Sequence, residues 1–194
     1  MTITGSPNLK PFRDYDEHEV YNGFFSANVA SLNKGTFVSV VAGASGNTNV
    51  FQNTNRPATP LLGVGPAYGS VPGRATSYRS EVKWKVQACP SGTVPLGVTL
   101  YDVRETNKYG ESYLARPSHE RYEDEVVVSG EAVPILARGL VSLKGFSGTA
   151  VAGSGINYCV NGAGVVGVYT KGTSYGRFLS AADNDGYALF KVEL

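Results

Sequence analysis

Charge of one sign, methionine, tryptophan, histidine and cysteine are all scarce in this 194-residue chain, and each shortage narrows what the chain can be. Seventeen Lys and Arg against 16 Asp and Glu leave a formal net charge of +1, so no field of one sign exists to hold a nucleic acid in general, and there is no acidic tail. Charged residues make up 17% of the chain, where about 25% is usual, and the long unbranched side chains that coat helix surfaces are few. An all-helical protein is excluded. The two cysteines, Cys89 and Cys159, stand 70 positions apart with no Cys-x-x-Cys spacing, so free thiols in a reducing cytosol are expected. No apolar run approaches the roughly 20 residues that a membrane-spanning helix needs. Residues 132–137 come nearest, but they contain Pro134 and end before Arg138. The start, Met1-Thr-Ile-Thr-Gly-Ser-Pro-Asn8, has no basic stretch followed by an apolar one, so no secretory leader and no membrane partner are expected.

What the chain has instead is 24 Gly, 24 Val, 12 Tyr and 10 Pro. Valine and tyrosine suit a half-buried pleated surface, while glycine and proline set turns. Residues 1–19 are polar, carry Pro7 and Pro11, and end in the charged run Asp14-Tyr-Asp-Glu-His-Glu19, which predicts an N-terminal arm that is loose alone. Strand-like segments then occupy 20–27, 36–42, 82–88, 94–103, 126–128, 132–143, 156–160, 165–171, 177–181 and 187–194. Within 82–88, Val82, Trp84, Val86 and Ala88 alternate with Lys83, Lys85 and Gln87, giving one apolar and one wet face. Pro90-Ser-Gly92 then predicts a hairpin with 94–103. Within 132–143 the odd positions Val133, Ile135, Ala137, Gly139, Val141 and Leu143 are small or apolar, as one buried face requires. Two polar stretches, near 43–73 and 104–125, are too long for tight turns and predict surface excursions. The pattern predicts an all-β fold: a small β-barrel or sandwich over residues 20–194, with two small β subdomains as the alternative.

Chemical motifs are thin. Gly162-Ala-Gly164-Val-Val-Gly167 fits GxGxxG, but a dinucleotide site requires a helix to follow at once, and Val168-Tyr-Thr-Lys-Gly172 is strand and turn chemistry. Asp183-Asn-Asp185-Gly186 resembles part of a calcium loop, yet that register places Ala181 and Val192 at ligand positions, so a hairpin turn is expected there. His18 and His119 sit among Asp14, Asp16, Glu17, Glu19 and Glu120, Glu123, Asp124, Glu125, which hold eight of the 16 acidic residues. Such clusters serve cation binding, a carboxylate pair for hydrolysis or a pH-sensitive surface; solvated loops are the simpler reading. Arg74, Arg79, Lys83 and Lys85 with Tyr78 and Trp84 form the one basic and aromatic cluster, interrupted by Glu81, and a wet strand face explains it without nucleic acid. Cys89 and Cys159 read as small apolar residues of strands rather than nucleophiles. No catalytic residue, cofactor or metal is expected. Tyr101, Tyr109, Tyr113 and Tyr122 cluster around the second excursion and suit either a sugar ring or a protein interface.

The C-terminal third carries a more specific pattern. Ser129-Gly-Glu-Ala-Val-Pro-Ile-Leu-Ala-Arg-Gly-Leu-Val141 is followed by Gly167-Val-Tyr169. Then comes Gly176-Arg-Phe-Leu-Ser-Ala-Ala-Asp-Asn-Asp-Gly-Tyr-Ala-Leu-Phe-Lys-Val192. Over about 65 residues this resembles the head decoration, or capsid cement, proteins of tailed bacteriophages, in which a Gly-Arg-apolar strand and an Asp-Gly turn lead into a final apolar strand. The resemblance implies a non-enzymatic virion protein, made in the host cytoplasm, that binds the major capsid protein on the capsid exterior, often as a homotrimer, and strengthens the shell. Contacts are then expected from Leu9, Phe12, Arg13 and Tyr15 of the arm and from one loop. The alternatives are a glycan- or receptor-binding β module gripping its ligand with Tyr109 and Tyr113, and a hydrolase using Glu123 or Asp124.

Overall fold

The first strand lies inside the segment expected to be an arm. The computed structural model describes residues 6–22, 25–26, 31–40, 85–107, 109–113, 121, 123–128, 131–160, 162–169 and 175–193, with 11–13 and 25–26 by backbone alone. Among these residues the strands in chain order are β1 (Asn8–Asp14), β2 (Val20–Tyr21), β3 (Phe25–Ser26), β4 (Phe37–Val40), β5 (Lys85–Ala88), β6 (Gly97–Thr99) and β7 (Asp102–Val103). They continue as β8 (Val126–Val127), β9 (Ile135–Leu136), β10 (Arg138–Lys144), β11 (Gly155–Cys159), β12 (Val166–Tyr169), β13 (Gly176–Phe178) and β14 (Ala188–Glu193).

One sheet has the order β1-β10-β14-β13-β11-β12 and is antiparallel. A second has the order β2-β9-β6-β4-β5-β3, antiparallel except where β3 meets β5, and β7 pairs in parallel with β8. Neither six-stranded sheet closes on itself among the described residues, so the all-β chain is sandwich-like and not the barrel that was the other expectation.

The core explains the layering. Phe37, Val98 and Leu136 of the second sheet meet Leu9, Val141, Leu143, Ile156, Val166, Phe178, Phe190 and Val192 of the first. Phe190 lies 6.1 Å edge-on from Phe37 and 4.8 Å from Phe178, which in turn lies 4.8 Å from Phe146, so four rings run through the middle of the sandwich. On its other side the second sheet buries Val38, Val86 and Ile135 with Leu32, Val103 and Val133. That sheet is covered on both faces. Neighbours such as Phe37 and Val38, or Ile135 and Leu136, are therefore buried together and break the period of two.

The same double burial accounts for two departures from the sequence-based expectations. Segment 132–143 is not one strand with one face: the chain changes sheets at Ala137, whose amide donates to the Glu19 carbonyl at 2.9 Å. Ile135 consequently joins one core while Val141 and Leu143 join the other. Segment 94–103 is likewise divided, with β6 in the second sheet and β7 in the small one. Nor do 82–88 and 94–103 form a hairpin. β4 lies between β5 and β6, with Ser39 opposite Gln87 and Phe37 opposite Val98. The connector 89–96 is long enough to step across β4, which a two-residue turn is not. Val86 is buried between the half-exposed Lys85 and Gln87, as the alternation predicts, whereas Val82, Lys83 and Trp84 lie outside the described residues, as does the 43–73 excursion.

Residues 8–14 are an edge strand rather than a free arm. β1 pairs with β10, and Leu9 is 3% exposed in the core between the sheets. Pro11 falls in the irregularity between Leu9 and Arg13, on an edge strand that tolerates a residue without an amide hydrogen. Lys10 fastens the strand outside: its Nζ is 2.6 Å from Asp183 Oδ2 and 4.4 Å from the centre of the Tyr187 ring. The two expected turns are present. Asp183 Oδ1 accepts from the amides of Asp185 at 3.0 Å and Tyr187 at 2.8 Å, closing the β13–β14 connection. Gly164, with φ +70°, turns the chain from β11 into β12 where a nucleotide site would need a helix.

Candidate functional site

The excursion at 104–125 begins as an ordered hairpin. Thr106 bridges Ser112 in antiparallel fashion, and the Tyr113 amide donates to the Glu105 carbonyl at 3.1 Å. Asn107 organises the tip. Its Oδ1 accepts from the amides of Tyr109 at 2.8 Å and Glu111 at 3.0 Å, and its Nδ2 donates to Glu111 Oε2 at 2.9 Å. Its amide donates to the Glu111 carbonyl at 2.9 Å, while its carbonyl accepts from the Gly110 amide at 3.0 Å. Gly110 supplies the left-handed backbone, φ +80°, that closes the turn. The product is a tip that presents Tyr109 at 74% exposure, the most exposed large apolar side chain among the described residues.

Tyr113 is the counterpart at the base. It is 5% exposed, packs with Val126 and Val128, and donates its hydroxyl to Asp124 Oδ2 at 2.9 Å. Burial first, and then the hydrogen bond to the Asp124 carboxylate, raise its pKa above the ordinary phenol value of 10.0. Tyrosines that look alike in the sequence are thus an exposed side chain and a buried anchor.

Arg104 leads into the hairpin from β7 and is held on two sides. Its Nε donates to Asp102 Oδ2 at 3.2 Å and its Nη2 to Asn33 Oδ1 at 2.7 Å. Asp102 Oδ1 accepts from the Lys34 amide at 2.6 Å, and Lys34 Nζ reaches Glu125 Oε2 at 2.8 Å. A cleft of about 380 Å³ opens beside this network, lined by Ser6, Pro7, Asn8, Asn33, Asp102, Arg104 and Lys144. Arg104 bridges Asp102 and Asn33 along its wall, so these three side chains hold one another in place there.

The expected contact residues are not gathered in one place. Leu9 is a core residue and cannot face a partner, and Tyr15 packs half-buried against the same core. The side chains of Phe12 and Arg13 lie outside the described residues, although both backbones belong to β1 and Arg13 pairs with Val141. Tyr109 alone of the six is shown as an exposed side chain; Tyr113 is a buried support. His18 is exposed in a 3-10 turn at Glu17–Glu19, and His119 and Glu120 lie outside the described residues. Asp124 is engaged by Tyr113 and Glu125 by Lys34, and among the described residues no three His, Cys, Asp or Glu side chains gather as a metal site. Sequence reasoning missed Asn33, Lys34 and Asp102, because only the fold brings 33–34 to 102–104. Asn107 had a readable signal: Asn107-Lys-Tyr-Gly110 is turn chemistry. Compared with known proteins, the chain matches no family model, no curated protein and no solved structure.

Proposed function

We propose that this chain is a non-enzymatic decoration protein that binds the outer surface of a phage capsid through the 104–113 hairpin and stabilises the shell. The observation that carries this reading is the 74% exposure of Tyr109 beside an Asn107 that accepts its amide hydrogen. A large amphipathic ring whose own amide is already hydrogen-bonded loses less entropy when it inserts into a neighbouring subunit. The sequence pattern that resembles capsid cement proteins supports the same reading: its pieces fall on β9, on β10, β14 and β13, which are neighbours in one sheet, and on β12 at the far edge of that sheet. Single contacts of this kind are weak, and repetition by oligomer and shell symmetry supplies avidity; a homotrimer is the state expected.

The polar cleft beside the hairpin favours glycan binding as the second reading, because Asn8, Asn33, Asp102 and Arg104 are residue types that bond sugar hydroxyls. A sugar would have to displace bonds that these groups already make with one another. The two readings separate on one variant. Tyr109→Ala leaves the circular dichroism and thermal midpoint unchanged and lowers shell binding roughly 10- to 30-fold, the loss expected for truncating an interface hot spot. Undiminished shell binding by the variant, together with Tyr109-dependent binding on a glycan array, would replace the first reading by the second.

A further inference from the structure

Cys89 and Cys159 belong to different sheets, yet the fold brings their side chains together. Cys89 directly follows β5 of the second sheet, and Cys159 ends β11 of the first. Both are free, 0% exposed and part of the core between the sheets. The β5–β6 connection gathers them. The Thr93 carbonyl accepts from the Cys89 thiol at 3.4 Å and from the Cys159 amide at 3.1 Å, and the Gly92 amide donates to the Cys159 carbonyl at 2.8 Å. The Cys89 thiol also faces the Pro90 carbonyl, at 3.8 Å. The two thiols act on each other's titration: the neighbouring Cys159 thiol above all, with Ser39, lowers the Cys89 pKa, whereas Cys89 and then burial push Cys159 well above its usual range.

We infer that Cys89 and Cys159 are a dithiol that a peroxide converts into a disulfide stapling the two sheets of the sandwich. In the first step the Cys89 thiolate attacks hydrogen peroxide, the O–O bond breaks, one water leaves after protonation, and Cys89 becomes a sulfenic acid. In the second the Cys159 sulfur attacks the Cys89 sulfur, the S–O bond breaks and a second water leaves. The sulfurs together lose two electrons and the peroxide gains them. The product closes a loop of 70 positions and adds a covalent link where packing and the backbone bonds of Gly92 and Thr93 to Cys159 already hold the sheets together. Because both sulfurs are buried, the reaction proceeds through local opening and is slow.

The test treats the full chain, folded and reduced, with hydrogen peroxide, then alkylates it under denaturing conditions. Expected are an intact mass lower by about two units, no alkylated thiol, and a proteolytic fragment pair joined through Cys89 and Cys159. The thermal midpoint is expected to rise by roughly 5 to 15 °C and to fall back on adding dithiothreitol. Cys159→Ala should stop at a sulfenic acid on Cys89 that dimedone traps, with no rise in midpoint; should that variant fail to fold, the wild-type mass and midpoint still decide. Thiols that stay alkylatable under conditions that oxidise the denatured chain completely would overturn the inference. A cross-link between two chains, or a disulfide that leaves the midpoint unchanged or lower, would do the same.

Discussion

At the scale of single residues, the hairpin rests on a division of labour between Asn107, Tyr109 and Tyr113. Asn107 makes three side-chain hydrogen bonds in an exposed turn, so Asn107→Ala should loosen the tip and weaken shell binding. Global stability should change by less than about 1 kcal/mol, measured by urea unfolding. Tyr113→Phe tests the base. The folded state raises the Tyr113 pKa, so the unfolded chain releases that proton first. The stabilisation is therefore full below the ordinary value of 10.0 and is lost as pH climbs through the folded value. Unfolding measured from pH 8 upward should show wild type losing stability relative to Tyr113→Phe above about pH 10, by at most roughly 1.4 kcal/mol per pH unit. Parallel curves would remove Tyr113 as an anchor. The sequence offers Tyr109 and Tyr113 as equals, because what buries Tyr113 is Val126 and Val128, beyond the far end of the excursion.

At the scale of elements, β1 changes how the N-terminal segment can be tested. Composition alone makes residues 1–19 look detachable, since Leu9 is one apolar residue among polar ones, but its place in the core depends on β10, more than 120 residues away in sequence. Deleting residues 1–15 should therefore lower the thermal midpoint, because it removes Leu9 from the core and exposes the edge of β10. A truncated protein that melts like the full chain would mean that β1 contributes nothing to the sheet. The turns were the most legible elements, since Asp183–Gly186 and Gly162–Gly167 carry their chemistry locally. Gly164 shows that a turn can also be a packing site. A β-carbon there would collide with the Phe37 carbonyl oxygen and the Thr36 methyl group, in a backbone region that disfavours side chains. Gly164→Ala should cost roughly 2 kcal/mol or more in urea unfolding, and a neutral effect would contradict the close approach of this turn to β4. Strand boundaries at Ala137 and Leu100 were not legible, because a chain that changes sheets keeps its apolar content while switching cores.

At the scale of the whole molecule, composition was enough for an all-β fold, and the open edges decide between its two forms: a barrel has none, and this sandwich keeps them. The second sheet, covered on both faces, accounts for the apolar runs, and the Phe37–Phe190–Phe178–Phe146 ring series ties the two sheets. The functional expectation came from a pattern of strands and turns near the C-terminus, whereas the exposed Tyr109 lies in a hairpin from the middle of the chain. Light scattering on the purified protein should give the mass of a trimer if oligomerisation precedes shell binding.

The most direct measurement of the proposed role is cosedimentation with expanded phage shells. Wild-type protein is predicted to pellet with the shells to a saturating ratio and Tyr109→Ala to need roughly 10- to 30-fold more protein to reach it; wild-type protein that stays in solution, or a Tyr109→Ala variant that pellets equally, would contradict a shell-binding role for the hairpin.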